Sequence, residues 1–300
     1  MKSLKNLTFK NKNLNSIMVS VIVSFSLTLL ISYQYGYSQL ADNQNINVLI
    51  NRGNSLFDEN KYEESIKYYD KVLEIDPKNT ESLINKGAAL TNIGKDIEAM
   101  QILDEVLKID PKDVDALYNK GVALNGLGKY IEAMQTFDEV LKIDPKDVDA
   151  LYSKGASLGA LSRYNEEIQT YDELLKIDPN YVDALYNKGV ALGDLGKHIE
   201  AIQTYDELLK IDPNYVSALY NKGVSLNSLG KYIEAIQTYD KVLEIDPNYV
   251  DALLNKGVSL GMLGRDDDAI KYIDQVLEID PSNPNALHAK KLISGALDKQ

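Results

Sequence analysis

The stretch from Val114 to Asp147, VDALYNKGVALNGLGKYIEAMQTFDEVLKIDPKD, decides the fold. Leu117, Gly121, Leu124 and Leu127 recur at three- and four-residue spacing, which places them on one stripe of a first helix. Gly128 ends that helix, because glycine accepts the left-handed conformation without a side-chain clash. Ala133, Phe137, Val140, Leu141 and Ile143 then mark the inner face of a second helix, and Pro145 stops it. The same 34-residue pattern occurs seven times, closing each time on Asp-Pro: Asp76-Pro77, Asp110-Pro111, Asp144-Pro145, Asp178-Pro179, Asp212-Pro213, Asp246-Pro247 and Asp280-Pro281. A fixed period of this length predicts stacked helical pairs, each burying its apolar face against its neighbours.

Working outward, Gly94, Gly196, Gly230 and Gly264 repeat the turn glycine, while Asn60 and Ser162 replace it in the first and fourth repeats. An Asn-x-x-Asp sequence, as at Asn180 to Asp183 and Asn248 to Asp251, offers an amide cap and an early acid to the next helix. These residues closely resemble the tetratricopeptide repeat, whose pattern pairs a first-helix glycine with a second-helix alanine; Gly121 and Ala133 fill those places. The second-helix aromatic is matched by Phe137, Tyr171, Tyr205 and Tyr239, and the resemblance spans Ile46 to Asn283. It implies an all-α chain: a right-handed α-solenoid superhelix of seven helix-turn-helix repeats plus a C-terminal capping helix. The expected boundaries are 46–79, 80–113, 114–147, 148–181, 182–215, 216–249 and 250–283, after a linker at 39–45 and before a cap and tail at 284–300. Ala286, Leu287, Leu292 and Ile293 are expected to cover the last repeat, with Lys290 and Lys291 facing water.

Leucine stands where the family opens on tryptophan, and a cation precedes every first-helix glycine: Arg52, Lys86, Lys120, Lys154, Lys188, Lys222 and Lys256. Each second helix carries an aspartate at a matching level, so the cations are expected to pair within their own repeats. The ladder would run from Arg52 with Asp70 through Lys120 with Asp138 to Lys256 with Asp274. In the fourth repeat Glu167 replaces the alanine and is expected opposite Gly155. An unpaired carboxylate there costs several kcal/mol, so that repeat should be the softest.

The chain has no cysteine, which excludes disulfides, thiolate metal sites and a cysteine nucleophile. His198 and His288 fall in different repeats and read as surface residues, and Asp266-Asp267-Asp268 lacks the alternating ligands of a calcium loop. Neither catalytic nor metal-binding residues are expected, nor a cofactor, and no nucleophile–base pair or phosphate loop rises above the repeat. Residues 1–40 hold four lysines and no acid, leaving 28 basic and 45 acidic side chains on the rest, a balance of −17. Such a surface disfavours nucleic acid and favours basic partners.

Those four lysines precede an uncharged stretch from Asn13 to Ala41 with an apolar centre, Ile17 to Ile31. Two readings stand. One is a secretory signal peptide cleaved after Ser38; the other is an uncleaved anchor from Ile17 to Tyr37, which reaches the roughly 20 residues a bilayer span needs. Either one sends the repeats out of the cytoplasm, secreted or anchored, with the membrane touched only by residues 1–38.

On the first helix the face opposite Leu117, Gly121 and Leu124 carries three stripes. Tyr118, Tyr152, Tyr186 and Tyr220 form one; Asn85, Asn119, Asn187, Asn221 and Asn255 form another; Val122, Val190 and Val224 belong to the third. The resemblance implies that this face lines a concave groove taking extended peptides or partner helices. An asparagine ladder there is similar to the peptide-binding face of glycosyltransferase-associated members. The competing reading makes the stripes structural. The expected function is thus an exported, non-catalytic protein-interaction scaffold, with a self-associating envelope protein as the alternative.

Overall fold

The computed structural model describes residues 45–297, all of whose regular structure is helical. The signal or anchor segment lies outside the described residues. Those residues form two compact bodies, divided in sequence between Asn119 and Lys120. The first contains α1 (45–58), α2 (Tyr62–Ile75), α3 (Thr80–Asn92), α4 (Asp96–Ile109) and the start of α5 (Val114–Gly126). The second contains the rest of α5 and then α6 (Tyr130–Ile143), α7 (Val148–Ala160), α8 (Tyr164–Ile177), α9 (Val182–Asp194) and α10 (His198–Ile211). It continues with α11 (Val216–Ser228), α12 (Tyr232–Ile245), α13 (Val250–Met262), α14 (Asp266–Ile279) and α15 (Pro284–Leu297). From α2 to α4 in one body, and from α6 to α15 in the other, consecutive helices pack against each other.

Within each pair the glycine is pressed under a large side chain sixteen residues on. A methyl built on Gly155 would lie 2.5 Å from the Tyr171 ring, and one on Gly121 2.5 Å from the Phe137 ring. Tyr171, Phe137, Tyr205 and Tyr239 are fully buried, as are Ala133, Ala201 and Ala235. That large side chain is therefore what each of these glycines meets first: an aromatic ring in five repeats, Leu103 at Gly87, and Ile273, with the Ala269 carbonyl beside it, at Gly257. The turns behave as expected, with Asn60 and Ser162 at φ of 58° and 56° beside glycines at 70–74°.

The repeated Asp-Pro has a local cause. Each of these aspartates accepts a hydrogen bond at 2.9–3.2 Å from the amide two residues on, from Asp76 with Lys78 to Asp280 with Ser282. Asn180 and Asn248 belong to that turn and do not cap the next helix. The N-cap residues there are Tyr181 and Tyr249, which make no side-chain cap bond. Asn79, Asp113, Asp147 and Asn283 do cap their helices. Ile143 is 43% exposed rather than inward, because it is the last residue of its helix. The three aspartates from Asp266 fill the first turn of α14 rather than capping it, and Asp268 bonds Arg265 and Lys271.

The cation ladder exists, but in another register. Lys86 reaches Asp70, Lys154 reaches Asp138 and Lys188 reaches Asp172, each at 2.6 Å; Lys222 reaches Asp206 at 2.5 Å. Lys256 bonds Asp240, and Lys290 bonds Asp274 at 2.7 Å. Each lysine thus pairs with the aspartate of the preceding repeat, sixteen residues back. Ala184 and Ala252, one helical turn before Lys188 and Lys256, pack on the preceding second helix, so the lysines point the same way. Arg52 is exposed, its expected partner Asp70 being held by Lys86.

The last helix reuses this position through Lys290, which does not simply face water. Ala286 is buried against Leu253, Ile273 and Val276, with Ala289 and Ile293 packed beside it. Leu287 and Leu292 stay 49% and 61% exposed instead of covering the seventh repeat, since no second helix follows among the described residues.

Lys256 is the most buried cation of the ladder, 9% exposed against 23% for Lys222, and it also donates to the Tyr272 hydroxyl at 2.6 Å. Asp240→Asn should therefore destabilise the second body by about 1–2 kcal/mol and Asp206→Asn by about 0–1 kcal/mol, as read by urea denaturation. Equal effects would deny the role of burial.

Glu167 lies over Gly159, not Gly155; its carboxylate would be 2.8–2.9 Å from a methyl built there. It is 6% exposed, and burial, with a smaller push from Asp194, raises it from its usual 4.5 to about 7. Below about pH 4.5 the group is protonated in both folded and unfolded chains. Between there and pH 7 only the folded chain holds the proton, so stability falls as pH rises through about 7. The total loss is about 3 kcal/mol. Above pH 7 the amides of α7 and α8 should exchange faster than in Glu167→Ala at the same pH, and the gap should close near pH 5. A gap independent of pH would show that the carboxyl is not the cause.

Candidate functional face

The tyrosine and asparagine stripes are tied to each other. Asn187 donates to the Tyr152 hydroxyl at 3.3 Å, Asn221 to that of Tyr186 at 3.2 Å, and Asn255 to that of Tyr220 at 3.0 Å. Each amide reaches back one repeat, and Asn187 also lies 3.4 Å from the Tyr171 hydroxyl. The tyrosines are half-buried. Tyr152, Tyr186 and Tyr220 pack against Tyr181, Tyr215 and Tyr249 with tilted rings, all with centroids 5.4 Å apart. Those partners stand where the earlier repeats place capping Asn79, Asp113 and Asp147. Burial first, and the nearby Asp183 and Asp251 carboxylates second, push the Tyr152 and Tyr220 hydroxyls up, which keeps them protonated.

In the first body Asn85 donates to Asn54 at 3.0 Å, and Tyr69 donates to the same oxygen at 2.9 Å. Asn85 and Asn119 line a cavity of about 460 Å³ with Asn54, Phe57, Asp58 and Tyr69. Asn119 spends an N–H on the Asp115 carbonyl at 2.8 Å, and Tyr118 is half-buried. In the second body Val122 is half-buried, while Val190, Val224 and Asn221 line a smaller cavity of about 150 Å³. Asp194, His198, Tyr205 and Ser225 complete its wall.

Asn54 and Asp194 escaped the sequence reading, which followed what recurs, and His198, read there as a surface residue, instead lines the smaller cavity with its Nδ1 buried. Each departs from the repeat: Asn54 stands where Ala88 and Val122 do, and His198 where Tyr130, Tyr164 and Tyr232 do. Among the described residues no group of three or more His, Asp or Glu side chains is placed to hold a metal ion. Nor is any helix there long and apolar enough to cross a membrane.

Models of the tetratricopeptide repeat match residues 46–79, 182–215 and 216–249, residues 94–157, and residues 68–101 and 238–271; a TPR repeat model matches 157–196. No curated protein gave a significant match. Among solved structures, YrrB, described as a TPR protein with an unusual peptide-binding site, is 24% identical with a TM-score of 0.58. That match covers 63% of this chain and 97% of YrrB. MamA from Desulfovibrio magneticus RS-1 is 25% identical with a TM-score of 0.54, over 57% of this chain and 96% of that one. The C-terminal part of a TPR repeat-containing protein from Cytophaga hutchinsonii is 16% identical with a TM-score of 0.68, over 80% and 98%. The chain belongs to the tetratricopeptide repeat family.

Proposed function

We propose that the chain is a non-catalytic scaffold that binds extended peptide segments or partner helices along the tyrosine–asparagine face. The observation that carries this reading is the register of Asn187, Asn221 and Asn255, each oriented by a tyrosine hydroxyl one repeat away. One N–H of each amide is used in that bond, and Asn187 gives a second to the Tyr171 hydroxyl, which leaves the amide carbonyls to meet the main chain of a ligand. Half-buried tyrosines between the amides supply flat apolar area at little conformational cost. The balance of −17 after residue 40 favours basic partners. Export, by a cleaved signal or a retained anchor, rests on the lysines and apolar run of residues 1–38. Mass measurement of the mature N-terminus decides between the two, with Gln39 expected for cleavage.

A second reading, association with copies of itself, draws on Ile131, Ile199 and Ile233, which recur at the start of second helices with 57–63% exposure. Sedimentation that rises with concentration would support it, and a monomer throughout would remove it.

The scaffold reading is tested with peptides selected from a random display library on the full-length chain. Asn187→Ala with Asn221→Ala should weaken binding of the selected peptides roughly tenfold or more. Melting should change little, because the bonds removed are long and half-exposed. Replacing the tyrosines instead would also strip ring contacts and lower the melting temperature. Unchanged binding by the asparagine variant would make the stripe structural.

A further inference from the structure

One position in the repeat is not filled alike at every step of the second body. In the third repeat Asn125 occupies it, and its carbonyl accepts a hydrogen bond from Ser157 of the next repeat at 2.8 Å. The sixth repeats the device, with Asn227 accepting from Ser259 at 2.8 Å and donating to Tyr239 at 3.2 Å. In the fourth, Gly159 leaves room that the Glu167 carboxylate fills, and in the seventh the Ile293 side chain comes within 3.0 Å of a methyl built on Gly261. The fifth alone among these has no such filling: nothing lies within 4 Å of a methyl built on Gly193.

The space left there is the cavity of about 150 Å³ between Val190, Val224 and Asn221. Ser225, the counterpart of Ser157 and Ser259, faces it across from a glycine instead of an asparagine. The wall is rich in hydrogen-bond acceptors. Nδ1 of His198 is buried and meets no hydrogen-bond partner, and in the Nε2-protonated imidazole it is an acceptor. The hydroxyl oxygens of Tyr205 and Ser225 are acceptors too, and Asp194 adds a carboxylate where the other repeats of this body have Gly126, Ala160, Ser228 and Met262. Asp194 acts on Glu167 as a like charge, so the neighbourhood carries negative charge.

Resting on the groove reading above, we infer that this cavity is a side-chain pocket for a lysine of the bound peptide. Its ammonium would sit among Asp194, the Nδ1 of His198 and the Tyr205 and Ser225 oxygens. An ammonium brings three donors and no acceptor on a slender apolar stem, which matches an acceptor-lined pocket between two valines. Arginine, whose planar fork needs more width, is the poorer guest. Asn221 belongs to both the pocket and the ladder, so the lysine would be read in register with the peptide main chain.

The test pans a random peptide display library against the full-length chain, against Gly193→Asn and against Asp194→Asn, and measures the selected peptides by fluorescence anisotropy. Gly193→Asn installs the residue that repeats three and six already carry, and Asp194→Asn keeps the shape while removing the charge. Peptides selected on the unaltered chain should share a lysine. Each variant should bind them roughly tenfold more weakly, while peptides with that lysine changed to alanine, which is too short to enter the pocket, should bind all three chains alike. Selected peptides without a common lysine, with arginine in its place, or bound equally by the variants would overturn the pocket and leave the groove standing. Failure of the unaltered chain to select any peptide would overturn the groove reading and the pocket with it.

Discussion

The contact between a first-helix glycine and the large side chain sixteen residues on governs the rest of the structure. With the Tyr171 ring pressed so close to Gly155 that even one methyl group would collide with it, the two helices can adopt only one separation and one rotation. That fixed geometry turns the opposite face of the first helix outward in every repeat. It also places the next lysine one turn beyond an alanine packed on the preceding second helix. The ion-pair ladder and the amide–hydroxyl ladder are both built on the faces that it fixes within each repeat.

Those two ladders join consecutive repeats, whereas the glycine contact joins the helices inside one. The ion pairs add little individually, because the aspartates are 40–47% exposed over much of the second body. Their value is directional. A lysine with an apolar stem and a single acceptor within reach reports the register of one repeat on the next. Lys256, covered by the Tyr272 ring with its nitrogen 3.9 Å from the centroid, is where this interaction becomes a buried one.

On the proposed binding face, one step differs from the next where the repeat is broken. Gly159 and Gly193 are the same residue at the same place, yet one is filled by Glu167 and the other opens a cavity beside Asp194 and His198. A regular array offers the same surface at every step and can recognise little beyond a peptide backbone. Departures from the repeat are what let one step differ from the next. The fourth and fifth repeats carry three of them in succession: a carboxylate at a helix crossing, a serine at positive φ and an unfilled glycine.

Periodicity alone was enough to specify the helices, the turns and the buried stripe, because each of these depends on residues within one or two helical turns. Asn60 and Ser162 could be read as left-handed turn residues for the same reason. The face carrying Tyr152, Tyr186 and Tyr220 was legible too, since a helical wheel suffices to place it. The partner of each lysine was not. An aspartate sixteen residues back and one eighteen residues forward look equivalent along the chain, and only the packing of Ala184 and Ala252 on the preceding helix separates them. The tyrosine hydroxyls' bonds to the asparagines, the position of Glu167 over Gly159 and the cavity at Gly193 likewise depend on how far one repeat rotates against the next. That rotation is set by side-chain volumes meeting across an interface, a quantity that no spacing along a single helix contains.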